Sequence, residues 1–139
     1  MYPQLLRDVE AQARRFGAAA LQPPCAEQAV RALRLRVRDE LGMALPLEFE
    51  EFLRLADGLN WNGLYLYPSA DLVASNLDQR EVEGLEDVLV FGNDSFDLFT
   101  WCSSTGEFQI LDLVPRQVME TLPSFDALME VALARCLHS

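Results

Sequence analysis

The chain has 139 residues and a formal net charge of -11, with 50% of its residues apolar and 24% charged. This length supports one hydrophobic core, so we expect a single domain over 1–139. All 11 cationic side chains are arginines, and the absence of lysine excludes Walker-type phosphate loops and Schiff-base catalysis. The acidity argues against direct binding of nucleic acid, which requires many cations. No apolar run reaches the roughly 20 residues of a membrane span, and we expect no secretory signal.

The negative charge is concentrated in the C-terminal two-thirds of the chain. Residues 1–42 contain seven arginines and five acidic residues, whereas residues 43–139 contain four arginines and seventeen acidic residues. An acidic surface favours a basic protein partner, because long-range attraction raises the rate of association. Taken alone, however, such a net charge more often simply keeps a protein soluble, so a partner with a basic surface is the second of two interpretations at this point.

Few residues could support catalysis or metal binding. Cys25, Cys102 and Cys136 are widely spaced and odd in number. They match neither a disulfide framework nor a zinc signature, so we expect buried thiols in a reducing cytoplasm. His138 is the single histidine and lies where chain ends fray, which argues against a catalytic triad or a histidine-containing metal site. We therefore expect no metal and no cofactor, and carboxylate chemistry is the one remaining route to catalysis.

The N-terminal part of the chain is predicted to be helical. Apolar residues at helical spacing indicate helices over 2–16 and Ala26–Leu41, each followed by a glycine. Phe16 falls on the inward stripe of the first helix. On the second helix we expect the intrahelical ion pairs Glu27–Arg31 and Arg36–Glu40.

The segment Leu45–Pro68 has the most consistent local signals in the sequence. Pro46 suits the first position of a helix, where its missing amide hydrogen costs nothing, and an apolar stripe at helical spacing follows it. Gly58 is suited to ending this helix in the left-handed conformation. Asn62-Gly63 then predicts a turn into a first strand at Leu64–Tyr67.

The C-terminal half is predicted to contain the rest of a sheet and one more helix. A helical turn capped by Ser69 precedes a polar, mostly acidic loop at 78–87. Further strands are predicted at Val88–Phe91, Leu98–Cys102 and Phe108–Leu113. A final helix is capped by Ser124. Short connections between sequential strands indicate an α+β fold, with an antiparallel sheet of about four to six strands packed against N-terminal helices and one C-terminal helix.

Two polar turns contain candidate contact residues. Gly92-Asn93-Asp94-Ser95 predicts a tight turn, and together with Asp97 it holds carboxylates that could form a calcium loop or an acid–base pair. The spacing lacks the repeating pattern of a calcium loop, and such residues beside glycine more often satisfy their own backbone. Trp61, which lies between two asparagines, is either an interface anchor or a side chain folded back onto the helix–strand junction.

In their order and spacing, several segments resemble the SUKH superfamily, especially its YrhA-like bacterial branch. The matching segments are Leu45-Pro46, Phe49, Phe52-Leu53, Asp57-Gly58, Trp61–Leu64, Tyr67-Pro68, Val90–Gly92, Asp97–Trp101, Phe108–Asp112 and Ser124–Leu128. Together they extend over essentially the whole chain. One departure is the turn after the first central strand, where Asn93–Phe96 replaces the family's glycine-rich sequence and is expected to place Phe96 at the surface.

The resemblance implies a non-enzymatic immunity protein, or antitoxin, that binds and neutralises a cognate polymorphic toxin in the bacterial cytoplasm. The expected interface is an acidic face formed by the 78–87 loop and the Asp94–Asp97 turn, together with an aromatic anchor. Its candidate residues are Trp61, Glu81, Glu83, Glu86, Asp87, Asp94 and Asp97. A housekeeping adaptor that binds an endogenous protein through the same fold is the alternative, and an enzyme based on paired carboxylates is a third.

Overall fold

The computed structural model describes residues 1–81 and 85–138, which form five α-helices and one six-stranded antiparallel sheet. The helices are α1 (Tyr2–Arg15), α2 (Glu27–Arg36), α3 (Leu47–Leu55), α4 (Leu72–Gln79) and α5 (Phe125–Leu137). The strands are β1 (Leu59–Trp61), β2 (Leu64–Leu66), β3 (Val88–Asn93), β4 (Asp97–Cys102), β5 (Phe108–Asp112) and β6 (Val118–Leu122). A π-helical turn, Val37–Leu41, continues α2. The predicted α+β class is confirmed.

The sheet is a meander in which each strand pairs with its neighbours in the chain. All pairings are antiparallel, as the short connections require. The two edges of the sheet differ. The chain that precedes α2 lies along β1, where Asn60 N donates to Ala20 O and Gln22 N donates to Gly58 O. Strand β6 lies at the other edge and, within residues 1–81 and 85–138, pairs with β5 alone.

Aromatic side chains hold α3 and α5 against the sheet. Phe49 of α3 stacks on Phe91 of β3 with ring centroids 4.8 Å apart, and Phe125 of α5 contacts the same ring edge-on at 5.5 Å. Full burial of a phenylalanine contributes about 1.5–3 kcal/mol, and the stacked and edge-on arrangements add to this. Helix α5 begins at the predicted cap, where Ser124 Oγ accepts a hydrogen bond from Ala127 N at 3.1 Å. The core therefore fixes both helices relative to β3.

Helices α1 and α5 lie side by side and run in the same direction. Near their starts, Tyr2 packs edge-on against Phe125 at 5.8 Å. Near their ends, Gln12 Nε2 donates to Leu137 O at 3.0 Å. Asn62, in the turn between β1 and β2, also donates to a backbone oxygen in the last turn of α5. Both helices therefore end beside the β1–β2 turn.

Ion pairs connect α2 to α3. The Glu50 side chain is 1% exposed, and Arg34 donates to its two oxygens at 2.9 and 2.6 Å. Glu27 pairs with Arg54 of α3 at 2.9 Å, so the predicted pairing of Glu27 with Arg31 is wrong. The planar guanidinium of Arg54 donates to both carboxylate oxygens of Glu27, and such a two-point contact is stronger than a single contact within one helix.

Two strands of the sheet are not predicted from the sequence. Strand β1 has only three residues, which is too short for an alternating pattern to be recognised. Strand β6 lies at the sheet edge with mostly exposed side chains, and Pro115 shortly before it indicates a chain break rather than a strand. Both strands form because the neighbouring strand offers backbone partners, which a local sequence pattern does not reveal.

Three local predictions are wrong in detail. Ser69 does not cap α4, because its amide and hydroxyl both donate to the carboxylate of Asp57, at 2.6 and 3.0 Å. Pro46 is the cap residue before α3 rather than its first helical residue. Gly92 lies inside β3, and the turn after β3 is organised by Asp94, whose Oδ1 accepts the amides of the residues that follow.

Candidate protein-binding site

The candidate interface residues divide between the two ends of the sheet. Strand β3 begins after Asp87 and ends before Asp94, so these carboxylates are separated by a six-residue strand, or roughly 20 Å. We call the end that contains Glu86, Asp87 and Glu107 the acidic end. The opposite end, with the turns after β1 and β3 and the ends of α1 and α5, is the aromatic end. The single acidic face expected from the sequence is therefore two separate surfaces.

The acidic end is formed by the turn before β3 and the turn between β4 and β5. Ser103 N donates to Asp87 O at 2.8 Å and joins the two turns, whereas the bond from Cys102 N to Glu107 O, also 2.8 Å, closes the β4–β5 turn itself. Glu86, Asp87 and Glu107 are all exposed. None of the three carboxylates forms an ion pair with any residue that the structure describes. Their negative charge is therefore directed to solvent.

Asp87 also has a structural role in this end. Ser104 Oγ donates to Asp87 Oδ2 at 2.7 Å, and this hydrogen bond lowers the pKa of the Asp87 carboxyl below its usual value. Burial acts to raise the pKa of the neighbouring Cys102 thiol, but hydrogen bonds from Ser104 and Thr105 lower it overall. Asp87 thus remains ionised and helps to hold the β4–β5 turn.

The predicted loop at 78–87 is only partly an exposed loop. Helix α4 extends to Gln79, and Leu85 is buried with 2% of its surface exposed. Glu81 is exposed just beyond α4, where its amide donates to Asp78 O at 3.2 Å. Glu83 lies outside the described residues.

The aromatic end holds its two candidate carboxylates in internal contacts. Arg135 of α5 donates to Asp97 Oδ2 at 2.6 Å and lies 3.6 Å from Asp94 Oδ2. The other oxygen of Asp94 accepts the amides of Phe96 and Asp97, each at 2.8 Å, as the sequence predicts for a turn-forming residue. The guanidinium also lies 6.0 Å from the ring centroid of Phe99. These carboxylates therefore connect the β3–β4 turn to the end of α5.

Trp61 is half-buried and bonded to α1. Its indole Nε1 donates to Gln12 Oε1 at 2.8 Å, and its ring lies 6.0 Å from that of Phe16. Asn62 Nδ2 donates to the same Gln12 oxygen at 3.0 Å. Of the two arrangements considered for Trp61, the structure has the side chain folded back onto the helices, with part of the ring still accessible.

The exposed side chains of Phe16 and Val114 at the aromatic end are the main feature that sequence reasoning misses. Phe16 is 75% exposed rather than inward, because it follows the last turn of α1 with φ of -100° and leaves the helical stripe. Phe96 is 75% and Val114 82% exposed, and Leu113 N donates to Phe96 O, which brings Val114 to the same turn. Phe96 lies at the surface, as the departure from the family's glycine-rich turn indicated; nothing comparable marks Val114.

Within residues 1–81 and 85–138, no three histidine, cysteine, aspartate or glutamate side chains come together so as to hold a metal ion. His138 is exposed at the cap position after α5. Cys25, Cys102 and Cys136 are buried as free thiols, as predicted.

A separate groove lies between the chain before α2 and the segments that contain β1 and β2. It has a volume of about 530 Å³ and is lined by residues that include Pro23, Asp57 and Tyr65. Tyr65 donates to Asp71 at 2.5 Å, and burial followed by this hydrogen bond raises the pKa of Tyr65 to about 12. Asp57 likewise accepts from Ser69, so both of these polar side chains serve internal contacts.

Comparisons with known proteins identify the fold but no family. No family model matches this chain, and no curated protein matches it. The structure is similar to the crystal structure of a protein from Pseudomonas syringae pv. tomato, with a TM-score of 0.63 and 17% sequence identity over 96% of this chain and 100% of that one. At this identity the similarity supports the fold alone. No helix within the described residues is both long and apolar enough to cross a membrane.

Proposed function

We propose that this protein is an immunity protein that binds a bacterial toxin domain and neutralises it in the cytoplasm without acting as an enzyme. The observation that carries the proposal is the acidic end, where Glu86, Asp87 and Glu107 are exposed and form no ion pair with a described residue. The resemblance of the sequence to the SUKH superfamily supports the same role. The partner is a protein with a basic surface.

Charge at the acidic end affects the rate of association with a partner as well as the contacts formed in the complex. Like-signed carboxylates without cationic partners create a local negative potential, and a net charge of -11 extends it over the surface. Such a field accelerates the encounter with a basic protein and disfavours acidic partners. A hydrogen bond between the two turns holds the backbone of Asp87, and one within the β4–β5 turn holds that of Glu107. Both reduce the entropy lost on association.

The proposal is tested by co-expression in a bacterial host with the product of the adjacent gene. We expect that product to stop growth when expressed alone and to be tolerated, in a stoichiometric complex, when this protein is present. A neighbour that is harmless alone, or that remains toxic beside this protein, contradicts the proposal. Recovery of a stoichiometric endogenous partner from cells that lack any toxin gene would instead favour the adaptor.

Charge reversal then locates the interface. The double variant Glu86→Lys, Glu107→Lys should slow association with the toxin, more strongly at low salt, while dissociation changes less. The matched control is Glu48→Lys, Glu51→Lys, which alters the same net charge on the exposed face of α3. If both double variants slow association equally, net charge rather than the acidic end is responsible. Circular dichroism confirms that each variant is folded.

A further inference from the structure

The two edges of the sheet differ in a way that bears on binding. Backbone hydrogen bonds and an isolated bridge from Leu21 to Leu59 cover the edge of β1. Strand β6 has no such cover among the described residues, and it is the last strand in the sheet order. An uncovered edge offers unpaired amides and carbonyls to another extended chain. Natural proteins protect such edges with charged residues, above all lysine, with proline or with bulges. Val118–Leu122 has one charged residue, Glu120, and one register shift, but no lysine or proline.

The hydrogen bonds of β5 determine which groups of β6 point outward. Asp112 N donates to Gln117 O, so alternation along β5 directs the backbone groups of Ile110 and Phe108 toward β6. Their register partners are Glu120 and Leu122, whose backbone groups therefore face β5. The N–H and C=O of Thr121, between them, point away from the sheet. The register shift in this pairing falls at Met119, outside this regular segment.

The side chains of β6 indicate which kind of extended segment would fit beside it. Val118 and Met119 are 52% and 61% exposed, which provides apolar contact on the edge. Glu120, the next residue of the strand, is also exposed. At the C-terminal end of the strand, a groove of about 440 Å³ is lined by Glu107 together with Thr121 and Leu122. The edge thus combines open backbone groups, apolar surface and two carboxylates.

We infer that β6 is a docking edge for an extended segment of a protein partner, which adds a seventh, antiparallel strand and places basic side chains beside Glu120 and Glu107. Backbone hydrogen bonds to Thr121 provide affinity, and the carboxylates select for basic residues. The inference rests on the proposed function only for the basic character of the partner. A second copy of this chain is a poor occupant, because each copy has a net charge of -11 and antiparallel pairing brings the two Glu120 carboxylates close together.

A synthetic peptide tests this edge directly. The probe is a fluorescein-labelled eight-residue peptide that alternates valine and lysine, and binding is measured by fluorescence anisotropy. Hydrogen exchange is followed at the Thr121 amide. We expect binding and slower exchange at Thr121. A peptide methylated on alternate amide nitrogens cannot pair as a strand and should not bind, and glutamate in place of lysine should weaken binding strongly. Equal binding of the methylated peptide, or unchanged exchange at Thr121, would overturn the inference.

One pair of variants isolates the backbone contact. Thr121→Pro removes the outward N–H without removing a bond to β5, and proline is tolerated on a strand edge in that orientation. It should weaken peptide binding by roughly tenfold or more, whereas Thr121→Val, which keeps the amide, should bind like the wild type. If Thr121→Pro does not fold, binding of the methylated and unmethylated peptides to the wild-type protein still tests the inference. Self-association that Thr121→Pro abolishes would assign the edge to a second copy and overturn the inference.

The same variant separates this inference from the proposed function. If Thr121→Pro still protects cells from the toxin as well as the wild type, the added strand is wrong and the immunity role stands. If the wild type binds the peptide at Thr121 but neutralises no toxin, the docking edge stands and the immunity role is wrong.

Discussion

The aromatic end and the acidic end of the sheet use the same residue types for opposite purposes. At the aromatic end, Asp94 and Asp97 are within reach of Arg135 of α5, and Trp61 donates to α1. At the acidic end, Glu86 and Glu107 form no ion pair with a described residue. A turn carboxylate is therefore bonded internally where a neighbouring element supplies a cation, and it remains exposed without an ion pair where the described residues supply none.

The difference follows from the parallel course of α1 and α5. Both helices end at the aromatic end, and each has arginine in its last turn, Arg14 and Arg15 in α1 and Arg135 in α5. Basic residues are favoured there because the helix dipole is negative at its C-terminus. The start of α5 lies toward the other end, where the cap is Ser124 and the first turn contains Asp126. Helix polarity thus places arginines at the aromatic end of the sheet, whereas the start of α5, toward the acidic end, carries an aspartate.

The largest expected loss of unfolding free energy comes from adding one methyl group near the aromatic end. A Cβ on Gly92 would lie 2.2 Å from Tyr65 O and 2.8 Å from the Cα of Leu66, so Gly92→Ala must separate β2 from β3 and should cost about 2–3 kcal/mol of unfolding free energy. Gly106→Ala at the acidic end is the matched control, since a Cβ there meets nothing within 4 Å. Its cost, from a φ of +76°, should be about 1 kcal/mol. Urea denaturation measures both, and equal losses would contradict the tighter packing at Gly92.

Substitution of Trp61 should also cause a large loss of unfolding free energy. Trp61→Ala removes a half-buried ring, its contact with Phe16 and the hydrogen bond to Gln12, and should cost about 2–3 kcal/mol. Trp61→Phe keeps most of the apolar surface and loses the donor, so it should cost about 1 kcal/mol. If Trp61→Ala instead leaves the unfolding free energy unchanged and only weakens partner binding, the tryptophan is an interface anchor and the contrast between the two ends is smaller than proposed.

Asp97→Asn weakens the ion pair with Arg135 at the aromatic end. The two atoms are 2.6 Å apart, but the arginine side chain is 41% exposed, so solvent screening limits the expected loss to about 1 kcal/mol. The corresponding substitution at the acidic end, Glu107→Gln, should leave the unfolding free energy within about 0.5 kcal/mol of the wild type. A loss of equal size in both variants, measured by urea denaturation, would mean that Glu107 has an internal partner in solution.

Local patterns in the sequence predict most of the helices and central strands, because those elements carry their own signals. The Ser124 cap and the Arg36–Glu40 pair are both confirmed, and each depends on residues less than two helical turns apart. Strands β1 and β6 are missed because their pairing partners, rather than their own periodicity, stabilise them. Phe16 is misplaced because the helix ends one residue earlier than its apolar pattern.

The roles of the candidate site residues are harder to predict than the fold, because these residues contact others that are far away in the sequence. Asp97 and Arg135 are 38 residues apart in the chain, and Trp61 and Gln12 are 49 apart. No local pattern relates such pairs. A single acidic face that groups all turn carboxylates therefore combines two surfaces that lie at opposite ends of β3. The sequence identified residues at both ends, and only the structure separates those that are bonded internally.

Asp87 provides the smallest and most specific test, because it is the acidic-end carboxylate with internal hydrogen bonds. Ser104 lowers the pKa of Asp87 below the usual value of 3.8, so the charged form stabilises the folded state above that pH, and this contribution is lost as the pH falls through the folded-state pKa. Asp87→Asn keeps an acceptor but not the charge, and the group is largely exposed, so the loss near neutral pH should be only about 0.5 kcal/mol. Urea denaturation from neutral to acidic pH should show the difference between wild type and variant disappearing below pH 3.8. Glu86→Gln removes a carboxylate that forms no ion pair with a described residue, so at neutral pH it should leave the unfolding free energy within about 0.5 kcal/mol of the wild type. A larger loss there would mean that the acidic end is bonded internally like the aromatic end.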